Sequence, residues 1–235
     1  MEADDPKDGG KAAFSGVWER FFGRRLSVIL SLFLGEVLLF FVLTSVPFFS
    51  GEQDSYGQQA QQLGRLLDRS FIGLIAVIFT NNARVGLIEL VPGVGPLFFG
   101  ISVYETARLT QAIALSQNFP PPLVVLTLFF LPHSWIELPA YALATGESVL
   151  LLNSSLRWLL KDERGRMRME LEQLVLVLLV VVLMLLIAAM FEAEEIVLGV
   201  TGLIIWIPFA LFATLVLLYR RKVRRSMQES APARP

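Results

Sequence analysis

The sequence has no cysteine, a single histidine (His133) and little charge: 17% of its 235 residues are Asp, Glu, Lys or Arg. Without thiols there is no disulfide, no thiolate metal site and no cysteine nucleophile. A lone histidine excludes the paired-histidine zinc motif of metalloproteases. No basic excess marks a nucleic-acid surface, because 20 Lys and Arg stand against 21 Asp and Glu. So little polar sequence leaves no room for a separate catalytic domain. What is abundant is apolar, 54% hydrophobic residues with a mean hydropathy of +0.61, which is the composition of a membrane-embedded chain.

A helix needs about 20 mainly apolar residues to cross about 30 Å of hydrocarbon. Six segments meet that need: Leu26 to Phe49, Ser70 to Glu89, Gly95 to Ser116, Leu123 to Ala144, Gln173 to Met190 and Ile196 to Tyr219. Asn81, Asn82 and Arg84 interrupt the second, which reads alternatively as half of a broken or re-entrant pair with the third. Basic residues cluster before the first segment (Arg20, Arg24, Arg25), between the fourth and fifth (Arg157 to Arg168) and after the sixth (Arg220 to Arg225). Six crossings put all three clusters on one side and Glu192, Glu194 and Glu195 on the other, so both termini are expected in the cytoplasm.

The predicted fold is therefore an all-α polytopic membrane bundle of about six helices. Residues 1–13 are a polar leader expected to be disordered, 14–220 the membrane domain and 221–235 a basic cytoplasmic tail. Phe14, Val17, Trp18, Phe21 and Phe22 recur at helical spacing, as an interfacial helix or as an extension of the first span. The loop from Ser50 to Arg69 carries Gln58, Gln59, Gln61 and Gln62 beside Leu63, Leu66 and Leu67, and reads as a surface helix for a partner or as a solvated connector. The segment from Glu147 to Glu172 is expected to begin as a helix on anionic lipid and to end as a solvated helix entering the fifth span. Gly93-Val94-Gly95, flanked by Pro92 and Pro96, predicts a tight reversal, and Pro132, Pro139 and Pro208 predict kinks.

The spans hold polar groups at similar depth. At about 1.5 Å per residue, Glu36, Asn81 with Asn82, Glu105 and His133 all fall about 15 Å into their segments. Glu137, Arg84 and Arg108 lie about one helical turn further on. An ionised group at the centre of a span costs roughly 2.5–3.5 kcal/mol, against the 0.3–0.6 kcal/mol that each large aliphatic residue returns. These groups are therefore expected to face one another in a bundle of the first four segments, with Glu105 paired to Arg108 and His133 to Glu137, and the fifth and sixth segments outside. Such a layer reads as a packing network, as a solute or proton path, or as a metal site.

The run Pro132-His133-x-x-x-Glu137-Leu138-Pro139-Ala140, taken with Phe79-Thr80-Asn81-Asn82-Ala83-Arg84-Val85 and the Gly93-Val94-Gly95 turn, resembles the signature of the stage II sporulation protein M family. The resemblance implies a multi-spanning, non-enzymatic membrane component without a cofactor that recruits partners, as the sporulation member does with cell-wall-degrading proteins. Membrane lipids and membrane proteins are the partners expected, and self-association stays open. A permease using the midplane groups and an intramembrane metal-dependent hydrolase are the rival readings.

Overall fold

The computed structural model describes residues 6–66, 69–161, 164–199 and Thr214. Those residues form helices and no strands: α1 (Pro6–Ser45), α2 (Glu52–Leu66), α3 (Phe71–Glu89), α4 (Gly95–Ser116), α5 (Pro121–Leu128), α6 (Ser134–Lys161) and α7 (Arg164–Leu198). Among the described residues, three stretches are long and apolar enough to cross a membrane, Arg25–Ser45, Phe71–Glu89 and Glu170–Leu198. The chain divides into a unit of residues 1–193 and one of residues 194–235. The second contributes only the end of α7, Gly199 and Thr214 to the described residues. Most of the expected sixth span, Pro208 and the whole basic tail lie outside the described residues.

α1 is one continuous helix, so the aromatic stretch from Phe14 to Phe22 extends the first span. It also takes in residues 6–13, which the composition leaves disordered. Pro47, which lacks an N–H and restricts the residue before it, stops the helix at Ser45. α3 begins on Ser70, whose hydroxyl accepts from the Gly73 N–H at 3.3 Å. It runs unbroken through Asn81, Asn82 and Arg84, so these polar residues do not break the second segment.

The reversal into α4 follows the glycines. Gly93 sits at φ +83°, and a Cβ on Gly95 would stand 1.9 Å from the Glu89 carbonyl oxygen. Only glycine admits that approach. The Ser148 hydroxyl donates to the Val91 carbonyl at 2.7 Å and fastens the turn to α6.

The fourth apolar segment departs from expectation. It is two helices, α5 and α6, separated by residues 129–133. Pro132 sits in the break because its ring and missing N–H oppose a continuous ladder. Pro139 is accommodated inside α6. The Trp135 indole reaches across the break and donates to the Phe129 carbonyl at 2.7 Å. α6 then runs on to Lys161, with Thr145, Glu147, Ser148, Leu151 and Ser154 buried. The helix expected to lie on the lipid surface is thus the continuation of a bundle helix.

α7 corrects a second expectation. Its Val177, Val181 and Leu185, spaced four apart, form one apolar core with Leu90 and with Ala140, Leu143 and Ala144 of α6. The opposite face, Val175, Leu179, Leu183 and Met190, is exposed. A fifth span without midplane charge still packs inside, because small residues let it come close: a Cβ on Gly86 would meet Leu185 at 2.9 Å.

Candidate functional site: a buried polar system in three groups

The polar residues do not form one layer. They collect in three separate groups, two of them built at helix ends or breaks and one between the bodies of three helices.

The first lies where α1 ends. The last carbonyls of a helix lack internal partners. Arg108 of α4 donates to the carbonyls of Leu43 (3.1 Å) and Val46 (2.8 Å), and Gln111 adds a bond to Val46 at 2.9 Å. The guanidinium is 1% exposed and lies against the rings of Phe48, Phe49 and Tyr104 at 5.2–5.6 Å. Its charge complements the negative end of the α1 dipole. The Glu52 carboxylate stands 3.8 Å from Arg108 Nε, close enough for an ion pair and too far for a hydrogen bond. Glu52 also accepts from the Phe49 N–H at 2.7 Å and from the Tyr104 hydroxyl. The Tyr104 bond, followed by the Phe49 bond and the Arg108 charge, holds Glu52 below the usual carboxylate range despite its partial loss of water.

Glu105 belongs to this group and is not paired with Arg108 as its spacing predicts. It accepts from the Tyr56 hydroxyl of α2 at 3.0 Å. Burial, then the bond to Glu105, pushes the Tyr56 hydroxyl up to about 12.

A second group sits between α1, α6 and α7. Arg25 Nε donates to Glu147 at 2.9 Å, and its Nη2 reaches Glu170. All three residues are at most 5% exposed. Sequence reading treats Arg25 as a topology signal and overlooks both carboxylates. A single arginine spaced far from two glutamates offers no local pattern from which to pair them.

The third group surrounds the break between α5 and α6. His133 precedes α6, and its carbonyl accepts from the N–H groups of Ile136 and Glu137. Glu137 therefore stands in the first helical turn, where the helix dipole favours a carboxylate. Tyr141, one turn on, donates to Glu137 at 2.9 Å. Because His133 lies outside the helix, its Nε2 comes within 3.3 Å of the Ser134 hydroxyl, although neighbours inside a helix point apart. Ligand atoms of His133, Glu137 and Glu192 lie within 4.8 Å of one another. Glu192, which charge placement assigns to an outer loop, is thus part of α7 and of this group.

Glu36 of α1 is 3% exposed and faces Glu89 and Glu137. Glu89, which the hydropathy reading leaves at the end of its span, is fully buried and accepts from Ser102 at 2.8 Å and Thr145 at 3.5 Å. Close packing of α3 on α4 and α6 makes that burial possible. Of the remaining sequence candidates, Asn82 is buried and accepts from Asn81 at 3.2 Å, while Asn81 and Arg84 are exposed.

The profile of the family described as stage II sporulation protein M matches residues 28–194, which hold the first and third groups and, of the second, Glu147 and Glu170 but not Arg25. The chain belongs to that family. It is a membrane protein of the stage II sporulation protein M type, and the matched region includes both motifs that carry the resemblance. No curated protein and no solved structure matches the chain.

Proposed function

We propose that this family member is a non-enzymatic membrane scaffold that holds a protein partner at the surface formed by α2. The observation that carries the reading is the clamping of α2. This helix is outside the apolar stretches, yet Glu52 and Tyr56 tie it to Tyr104, Arg108 and Glu105 of α4. Phe48 stacks on Tyr56 at 6.1 Å and closes the same joint. Gln53, Asp54, Gln58, Gln61 and Gln62 remain exposed. A groove of about 440 Å³ between α2 and α4 runs beside Gln58 and Gln61. A solvated connector has no need of such anchoring, since loops ordinarily run free over the surface. A fixed polar helix is what a partner can dock on without a large ordering cost.

In this reading the chain crosses the cell membrane six times with both termini in the cytoplasm, as the basic clusters direct. α2 then lies on the far side, and the basic segments meet anionic lipid headgroups.

The test is photo-crosslinking from position 58 in native membranes, with mass spectrometry of the adducts. A heterologous partner that is captured by the wild-type surface and lost on Gln58→Lys with Gln61→Lys supports the scaffold. Capture of a second copy of the chain would make α2 a self-association surface instead. Absence of any protein adduct would remove the scaffold reading.

A further inference from the structure

We propose that His133, Glu137 and Glu192, with Glu36 beside them, form an intramembrane site for one first-row divalent cation. Glu137 and Glu192 bring carboxylate oxygens to the His133 ring inside helices that contribute to the apolar bundle, and Glu36 interacts electrostatically with Glu137. A shared divalent cation lowers the repulsion between carboxylates held close together.

Geometry then favours the cation. Donors bound at about 2.1 Å to a shared ion stand up to about 4.2 Å apart. The ligand atoms of His133, Glu137 and Glu192 already lie within 4.8 Å of one another, so small side-chain rotations close them on an ion. They come from two directions, the start of α6 and the far part of α7, as a site built between helices requires.

A separate observation points into the same space. The Oε2 atom of Glu36 is buried without a hydrogen-bond partner, and the residue is 3% exposed. Its electrostatic neighbours are Glu89 and Glu137. A buried unpartnered carboxylate oxygen costs free energy that a shared cation, or water bound to it, would offset. Tyr141 supplies the outer support expected of a metal site, because its hydroxyl fixes Glu137 at 2.9 Å. One imidazole with carboxylates suits zinc, manganese or ferrous iron better than magnesium, which prefers an all-oxygen shell with retained water.

This inference is independent of the scaffold reading, whose surface is α2. The experiment uses the full chain in detergent, stripped of metal and dialysed against Zn2+ or Mn2+. Bound metal is read by elemental analysis and the unfolding temperature is followed in parallel. Wild type is expected to take up about one ion per chain and to unfold at a higher temperature with the metal than without it. His133→Ala and Glu192→Gln are expected to lose both effects. Tyr141→Phe should weaken binding by about 10- to 100-fold, the usual effect of removing a support behind a ligand. Glu105→Gln, in the group around Tyr56, should bind as wild type does. If wild type shows no saturable uptake of either metal, or if His133→Ala and Glu192→Gln bind it as tightly, the cluster is a proton-sharing network and the proposal falls.

Discussion

The Tyr56 hydroxyl donates to the Glu105 carboxylate at 3.0 Å and so joins a helix outside the apolar stretches to the middle of α4. Tyr56 is pushed up to about 12 by burial and then by Glu105, whereas an unfolded tyrosine ionises near 10. Below pH ~10 both states hold the proton and the contribution of the bond is complete. Between about pH 10 and 12 the unfolded chain ionises first, so that contribution is lost as the pH rises. An ultraviolet titration of wild type minus Tyr56→Phe should show one tyrosinate forming near 12. The stability of wild type should also fall more steeply than that of Tyr56→Phe across this window. Parallel stability curves would contradict the assignment.

The Arg25 network makes a prediction of a different kind. Arg25→Met leaves Glu147 and Glu170 buried without their shared cation. Breaking one side of a buried ion pair costs about 3–5 kcal/mol. Thermal unfolding in detergent should show a large drop for Arg25→Met and a smaller one for Glu170→Gln, which still leaves Glu147 on the guanidinium. A triple replacement by apolar residues of similar volume should recover much of the loss.

Three glycine-to-alanine changes should separate by what the added methyl meets. At Gly95 it meets the Glu89 carbonyl at 1.9 Å, which only backbone movement relieves, and folded yield should collapse. At Gly86 it meets the end of Leu185 at 2.9 Å, which a rotamer change accommodates with a modest loss. At Gly35 nothing lies within 4 Å, and the change should be silent or mildly stabilising. The order Gly95, Gly86, Gly35 in unfolding temperature is the result to check.

Topology is accessible because the natural sequence contains no cysteine. Gln58→Cys should react with an impermeant maleimide from outside intact cells, and Ser226→Cys only after the membrane is opened. Reaction of both from the same side would overturn the six-crossing arrangement with cytoplasmic termini.

Much of this architecture was legible in the sequence for a physical reason. Hydropathy over about 20 residues reports helix length, so α1, α3 and the apolar part of α7 were foreseeable. Gly93 and Gly95 signalled the reversal because backbone sterics act locally. What escaped was whatever depends on two distant elements meeting. Depth along a span does not say which direction a side chain faces, so Glu105 was matched with its neighbour Arg108 when Tyr56 of α2 was its partner. Nor does hydropathy distinguish a lipid-facing helix from a core helix, which concealed the inward face of α7. Glu192 appeared to belong to a loop because the acidic residues around it mark the end of an apolar run.

The break between α5 and α6 has a mechanical side. Backbone bonds close the last turn of α5 through Leu131 to Leu128, and the next begin with Trp135 to Pro132. The Trp135 indole bond to Phe129 braces this joint, with the ring 57% exposed and packed 6.3 Å from Phe33. His133 and Glu137 hang from the distal arm of that hinge, whereas Glu36 and Glu192 are carried by α1 and α7. The geometry of this joint therefore fixes where His133 and Glu137 stand relative to Glu36 and Glu192.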